Sequence, residues 1–317
     1  MRILIVGAGA TGGYFGGRLL QHGCDVTFLV RERRAAQLAR DGLVIRSPAG
    51  DATLPAPPTV LARELGARGP FDLVVLSCKA YGLAQAIDDV APAVGPDTAI
   101  LPLLNGMRHL DLLDARFGAD KVLGGQCSIA ATLDDDGAIR HLNSMHNLVF
   151  GERDGAASER MQAITHALVG AGFDAHPSDA AVQAMWNKWV FLASLAGITC
   201  LMRAPVGDIM AAPGGREATL ALLEECRATA ERAGYAPGAD ALAHARGMLT
   251  DAGSTLTASM LRDLQQGHPI EADHVVGDML ERSGRRPGDG SMLAVAYAHL
   301  KAYEAGRARR QAADASH

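Results

Sequence analysis

Over roughly the first half of the chain, short unbroken aliphatic runs alternate with stretches whose apolar residues recur at helical spacing. Met1–Val6 (MRILIV) lacks the polar alternation of a half-exposed strand and reads as a buried parallel strand. Tyr14, Phe15, Leu19 and Leu20 follow at helical spacing. Asp25–Val30 predicts a second strand, and residues 35–42 a short helix. Leu43–Arg46 and Ala52–Leu54 suggest a hairpin through the Pro48–Gly50 turn. Phe71–Ser77 and Thr98–Leu104 are further buried strands. Val122–Gly125, Ala138–Leu142 and Leu148–Gly151 predict more, with Asp134–Gly137 as a solvated turn. Residues 158–171 read as a helix and Phe173–His176 as a last strand. From about residue 179 the strand signals stop. Helices are expected at 180–201, 216–234, 239–249, 252–266, 269–283 and 291–305, with Gly or Pro between most of them. The pattern predicts an α/β domain with a parallel sheet over 1–178, an all-helical domain over 179–306, and a polar, frayed tail over 307–317.

Chemistry enters first at the end of the first strand. Gly7, Ala8, Gly9, Ala10, Thr11 and Gly12 form G-x-G-x-x-G between a predicted strand and a predicted helix. In that setting the first glycine allows the tight turn. The second admits a pyrophosphate close to the backbone. The third lets the helix pack on the strand. The new helix would point free N–H groups and its positive dipole end at the phosphates. The second strand ends in Arg31-Glu32-Arg33-Arg34, where NAD-preferring folds place an acidic residue for the ribose hydroxyl. Arg31 at that tip suits a 2′-phosphate and favours NADP; Glu32 stands as the alternative that could face the ribose. Arg33 and Arg34 read equally well as a solvated helix start. Lys79 and Asn105 fall at the carboxyl ends of parallel strands, the edge at which open α/β sheets bind ligands.

Composition narrows the function class. Of 317 residues 48% are hydrophobic and 21% charged, enough for a sizeable core. The net charge of −5 argues against electrostatic capture of nucleic acid. No run approaches the roughly 18 apolar residues of a membrane span, and the first strand is too short for a signal peptide. Five scattered cysteines without C-x-x-C suggest reduced thiols in a cytoplasmic protein. No metal site is expected: there is no H-E-x-x-H, and the spacing of His141 and His146 would put them on opposite faces of a strand.

In the helical half, Lys188 interrupts a helix that is otherwise apolar nearly all round. Burial lowers an ammonium's pKa, which suits general acid–base work near neutral pH; a lysine snorkelling from the helix start is the alternative. Ser259 falls on one helix and Glu271 in the first turn of the next, where it would also complement the dipole.

Taken together, Gly7–Gly12, Arg31, Cys78-Lys79-Ala80, Asn105-Gly106, the Lys188 helix, and Ser259-Met-Leu-x-Asp with Gly267 and Glu271 resemble the ketopantoate reductase (2-dehydropantoate 2-reductase) family over nearly the whole chain. The resemblance implies an N-terminal Rossmann-type α/β domain and an all-α C-terminal domain like that of 6-phosphogluconate dehydrogenase. It implies NADPH-dependent reduction of 2-dehydropantoate to pantoate, a step toward pantothenate and coenzyme A. Lys188 would be the general acid and also touch substrate. Lys79 and Asn105 would meet the nicotinamide end, Asn105 also the substrate. Ala130 would line the cofactor, Ser259 would bind the substrate carboxylate, and Glu271 would hold a cofactor hydroxyl or steady the lysine. The partner would be a small 2-oxo acid, and the chain a monomer or a homodimer.

Three positions depart from the family pattern. Leu192 and Ala196 stand one and two helical turns after the lysine, and Leu256 three residues before the serine, where the family typically has asparagines. The polar clamp on the substrate is thereby reduced, and another 2-oxo acid or a less polar ketone is expected. Competing readings are a non-catalytic NADPH sensor and a hydroxyacid dehydrogenase of the wider 6-phosphogluconate dehydrogenase-like group.

Overall fold

The computed structural model describes residues 1–314. The chain divides into two compact units: Met1–Leu104 with His109–Ala184, and Asn105–Arg108 with the chain from Met185 onward.

The first unit is built on two sheets. Strands β1 (Arg2–Val6), β2 (Asp25–Leu29), β3 (Leu43–Arg46), β4 (Ala52–Leu54), β5 (Thr59–Val60), β6 (Leu73–Leu76) and β7 (Ala99–Pro102) precede the long pair β8 (Gly124–Leu133) and β9 (Ile139–Gly151), and β10 (Asp174–Pro177) comes last. The main sheet is parallel in the order β5-β2-β1-β6-β7. Its centre explains the unbroken aliphatic runs: Ile3, Leu4, Ile5, Leu73, Val74 and Leu76 are all 0% exposed, so no polar position was available on either face. The strand order reverses at β1. The carboxyl end of β1 is therefore the switch point where such sheets bind ligands. Helices α1 (Ala10–Gln21), α2 (Glu32–Asp41), α3 (Leu83–Val90), α4 (Arg108–Phe117) and α5 (Glu159–Leu168) connect the strands. The second sheet holds β10-β9-β3-β4, with β8 on β9 and the expected hairpin of β3 and β4.

Here the structure corrects the histidine expectation. In the β8–β9 pair Ile129 faces His146 and Ala131 faces His141, so five residues of β9 advance opposite two of β8. Three extra residues bulge out and reset the parity of the strand. His141 and His146 consequently share a face, with rings stacked 5.6 Å apart. Their nitrogens are engaged with protein partners: His146 Nδ1 with the Tyr14 hydroxyl at 2.7 Å, His141 Nδ1 with Ser47 Oγ at 2.9 Å, and His141 Nε2 with the Met145 carbonyl at 3.0 Å.

The second unit is helical: α6 (Ala181–Met202), which the unit joins within its first turns, then α7 (Val206–Ala211), α8 (Gly215–Arg232), α9 (Ala239–Leu249), α10 (Ser259–Gln265), α11 (Asp278–Arg282) and α12 (Met292–Asp314). Three differences from expectation have local causes. The helix expected from 252 starts only at Ser259, because Leu256 and Ser254 carbonyls accept from the N–H groups of Val206 and Gly207 instead. The helix expected from 269 starts after Glu271 and opens with a wide π turn, Asp273–Gly277. The last helix runs through Gly306 to Asp314; residues 315–317 of the expected tail lie outside the described residues. Against the sequence expectation, one helix among the described residues, α6, meets the requirement for a membrane span by length and composition, yet 67% of its most apolar window is buried within the protein, as in a core helix.

Candidate functional site

In the first unit the glycine turn is built for a ligand. Gly7 has φ +94°, a conformation that L side chains rarely adopt. A Cβ at Gly12 would lie 2.0 Å from Ser77 Oγ and 2.3 Å from the Gly7 carbonyl, so only glycine lets α1 start this close to β1 and β6. Gly9 differs: nothing lies within 4 Å of where its Cβ would be. Packing does not demand glycine there, whereas a phosphate approaching the backbone does. Gly9 is also the N-cap of α1, and no side chain caps the helix and no acid stands in its first turn. The N–H groups at that end are thus left to an outside anion. Ser77 Oγ donates to the Val6 carbonyl at 2.8 Å and ties the tips of β1 and β6 together. That residue was missed in the sequence; a small hydroxyl directly after a buried strand was the available signal.

The basic segment after β2 divides by role. Arg31 is the exposed N-cap of α2. Glu32, the alternative ribose ligand, is paired with Arg63. Arg34 is not a solvated helix start: it donates to the Ala8 carbonyl at 3.0 Å and to the Gly137 carbonyl at 3.0 Å, bracing the glycine turn from behind. Lys79 is exposed beyond β6 and precedes a short turn of helix, Ala80–Gly82. Ala130 sits at the register slip between β8 and β9. The glycine turn and the uncapped start of α1 fit the pyrophosphate of a dinucleotide.

In the second unit a second group of expected residues comes together. On α6 the otherwise buried surface is broken by a partly exposed stripe, Asn187, Lys188, Phe191 and Leu192, at helical spacing. Lys188 is the only charge on it. Trp189, 1% exposed, donates through its indole nitrogen to the Val275 carbonyl at 2.9 Å and so fastens this part of α6 to the π turn. Glu271, half-buried, caps that turn: its carbonyl accepts from Val275 N–H at 3.0 Å, one position ahead of the first helical turn expected. Asn105-Gly106 packs on the same turn. A Cβ at Gly106, φ +80°, would lie 2.7 Å from the His274 carbonyl. Lys188, Glu271 and Asn105 are therefore carried by three neighbouring segments of one unit. Ser259 is exposed as the first residue of α10.

Known proteins resemble the chain over both units. Residues 3–155 match the family described as ketopantoate reductase PanE/ApbA, and residues 180–304 its C-terminal domain. The chain belongs to the ketopantoate reductase family. It is 39% identical over 305 residues to YkpB, an uncharacterized oxidoreductase of Bacillus subtilis, covering 96% of this chain and 99% of that one. It is 30% identical to a 2-dehydropantoate 2-reductase of Mesorhizobium japonicum, over 89% and 91% of the two chains. The crystal structure of 2-dehydropantoate 2-reductase from Geobacter metallireducens superposes with a TM-score of 0.84 at 28% identity, covering 95% of this chain and 99% of that one. As a family member the chain is an oxidoreductase that uses a nicotinamide cofactor.

Among the buried titratable groups of this ketopantoate reductase relative that the sequence did not single out is His274. His274 in the π turn is 6% exposed, and its ring hydrogen-bonds to the Asn105 backbone. Burial, aided by Arg108, pushes its pKa down to about 4. A lone histidine in a helical stretch carried no signal for this. The unfolded chain binds a proton at His274 below about pH 6.5 while the native protein does not, so stability falls as pH drops from about 6.5 to about 4. His274 should account for about 3 kcal/mol of that loss. Thermal unfolding of wild type and His274→Asn across this window checks it: the variant should show a flatter pH dependence, and an unchanged slope would remove His274 as the cause.

Proposed function

We propose that this protein is an NADPH-dependent reductase of a 2-oxo acid, producing the 2-hydroxy acid, and that its substrate is 2-dehydropantoate or a less polar relative of it. The observation that carries this is the stripe on α6. It presents a single ammonium, Lys188, beside the half-buried apolar side chains Phe191 and Leu192. A single proton donor in apolar surroundings suits reduction of a ketone whose far end makes few hydrogen bonds.

In this reading Gly7, Ala8, Gly9, Ala10, Thr11 and Gly12 receive the pyrophosphate at the α1 N-terminus, and Arg31 takes the 2′-phosphate. Lys79, Asn105 and Ala130 hold the nicotinamide end, and Glu271 a cofactor hydroxyl. When bound, the nicotinamide supplies the hydride. Reduction builds negative charge on the ketone oxygen. Lys188 stabilises that charge through its ammonium and donates the proton. Ser259 donates a hydrogen bond to the substrate carboxylate, and Asn105 steadies the reacting carbonyl. The setting is cytoplasmic, and pantothenate synthesis is the pathway if 2-dehydropantoate is the substrate.

Arg31→Ala tests the cofactor assignment. The KM for NADPH should rise about ten- to a hundredfold, the worth of a charge-assisted contact to a phosphate, while the KM for NADH stays unchanged. Initial rates with both cofactors decide it; equal effects on both would deny Arg31 the phosphate.

A further inference from the structure

Lys188 stands near the start of α6, and Arg203 follows the last residue of the same helix, about 22 Å further along the axis. Arg203 has φ +57°. Glycine is the usual residue at this position after a helix, because any Cβ costs conformational energy there. A basic residue complements a helix C-terminus, but an arginine one turn earlier would do so without the backbone cost. A strained backbone carrying a long charged side chain suggests that the side chain has work at that place.

Arg203 lines a groove of about 630 Å³ lying wholly within the helical unit, together with Gln265, His299, Tyr303, Arg309 and Arg310. That volume falls within the roughly 300–1,000 Å³ of small-molecule sites. Arg309 and Arg310 fold back over Gly306 on α12. Their Nη2 and Nη1 atoms lie 3.8 and 3.5 Å from where a Cβ at Gly306 would be, so both guanidinium groups lie over the same helical turn. Among the described residues none of the three arginines makes an ion pair, in a chain whose net charge is −5. The Nε2 atom of His299 is buried without a hydrogen-bond partner, while its ring bonds to the Cys200 backbone. An incoming anion would favour the imidazolium, whose Nε2–H can then donate. The rim is pinned: Arg307 donates to the Gly267 carbonyl at 2.9 Å and Tyr303 to the His268 carbonyl at 2.7 Å.

We propose that this groove is a second ligand site, for a small anion carrying a diphosphate group, separate from the site of reduction. Guanidinium forks match phosphate oxygens, and two linked phosphoryl groups let Arg203 engage one end while Arg309 and Arg310 engage the other. Calorimetric titration of the full chain, saturated with NADPH to fill the cofactor site, tests this with inorganic pyrophosphate and with ADP at low ionic strength. One equivalent of pyrophosphate or ADP should bind. Tighter ADP binding assigns the site to a nucleotide, and equal binding to the diphosphate alone. Arg309→Ala with Arg310→Ala should weaken binding at least about tenfold. Arg203→Gly should weaken it about tenfold while raising Tm, since glycine relieves the backbone. No binding of either probe by the wild type, binding unchanged in these variants, or a lowered Tm in Arg203→Gly with binding retained would each overturn the proposal.

Discussion

Replacing Lys188 by alanine is expected to lower kcat by about 10²–10⁴-fold, the range for removing a general acid. NADPH binding should survive nearly intact. The reason is position: Lys188 is the single charge on a partly exposed stripe of an otherwise buried helix, and Trp189 beside it is locked to the Val275 carbonyl. The alanine variant therefore loses the donor without loosening the helix. Lys188→Arg is the sharper partner experiment. Arginine keeps the charge but does not release a proton, so substrate binding should be retained while kcat stays low. Steady-state rates read from reduced-nicotinamide absorbance, with cofactor binding read by fluorescence, separate the two effects. Wild-type turnover by the alanine variant would give the proton transfer to another group.

The second large effect concerns the substrate's far end. 2-Dehydropantoate carries a terminal hydroxyl; 3,3-dimethyl-2-oxobutanoate is the same acid without it. A pocket built to hydrogen-bond that hydroxyl rejects the deoxy analogue by about 10⁴-fold, because its own polar groups are left unpaired. Here Leu192 and Leu256 are half-buried, Ala196 is 4% exposed, and none offers a hydrogen-bonding side chain. The two acids should therefore differ by less than about tenfold in kcat/KM, or the analogue should be preferred. Leu192→Asn should shift preference back toward 2-dehydropantoate. A preference of the wild type for 2-dehydropantoate by about a thousandfold or more would mean that other groups bind the hydroxyl.

What was legible in the sequence was what depends on short spacing. Gly7–Gly12 declared itself because a buried strand, a glycine turn and a helix follow one another within a few residues. Lys188 stood out because one charge interrupts a long apolar helix. That β1, β6 and β7 are buried strands of a parallel sheet was legible from runs too apolar to have a solvated face; their order in the sheet was not. What was hidden depends on partners far away in the chain. Asn105-Gly106 reads as the tip of a strand, yet Gly106 packs against the His274 carbonyl, and the four residues from Asn105 go with the helical unit. His141 and His146 share a face only because three residues bulge from β9, and no local pattern marks a bulge. Arg34 looked solvated, and its bond to the Ala8 carbonyl becomes visible only when α2 is folded against the glycine turn. The π turn after Glu271 reads as ordinary helix, and the bond from the Trp189 indole to its Val275 carbonyl joins residues too far apart in the chain for a local pattern to show.

The most direct measurement is the absorbance of reduced nicotinamide after mixing the purified chain with NADPH and a panel of 2-oxo acids, 2-dehydropantoate and its deoxy analogue among them. Steady loss of absorbance with at least one acid, matched by the 2-hydroxy acid as product and abolished in Lys188→Ala, is the predicted result. Tight binding of NADPH with no turnover of any 2-oxo acid in the panel would contradict it.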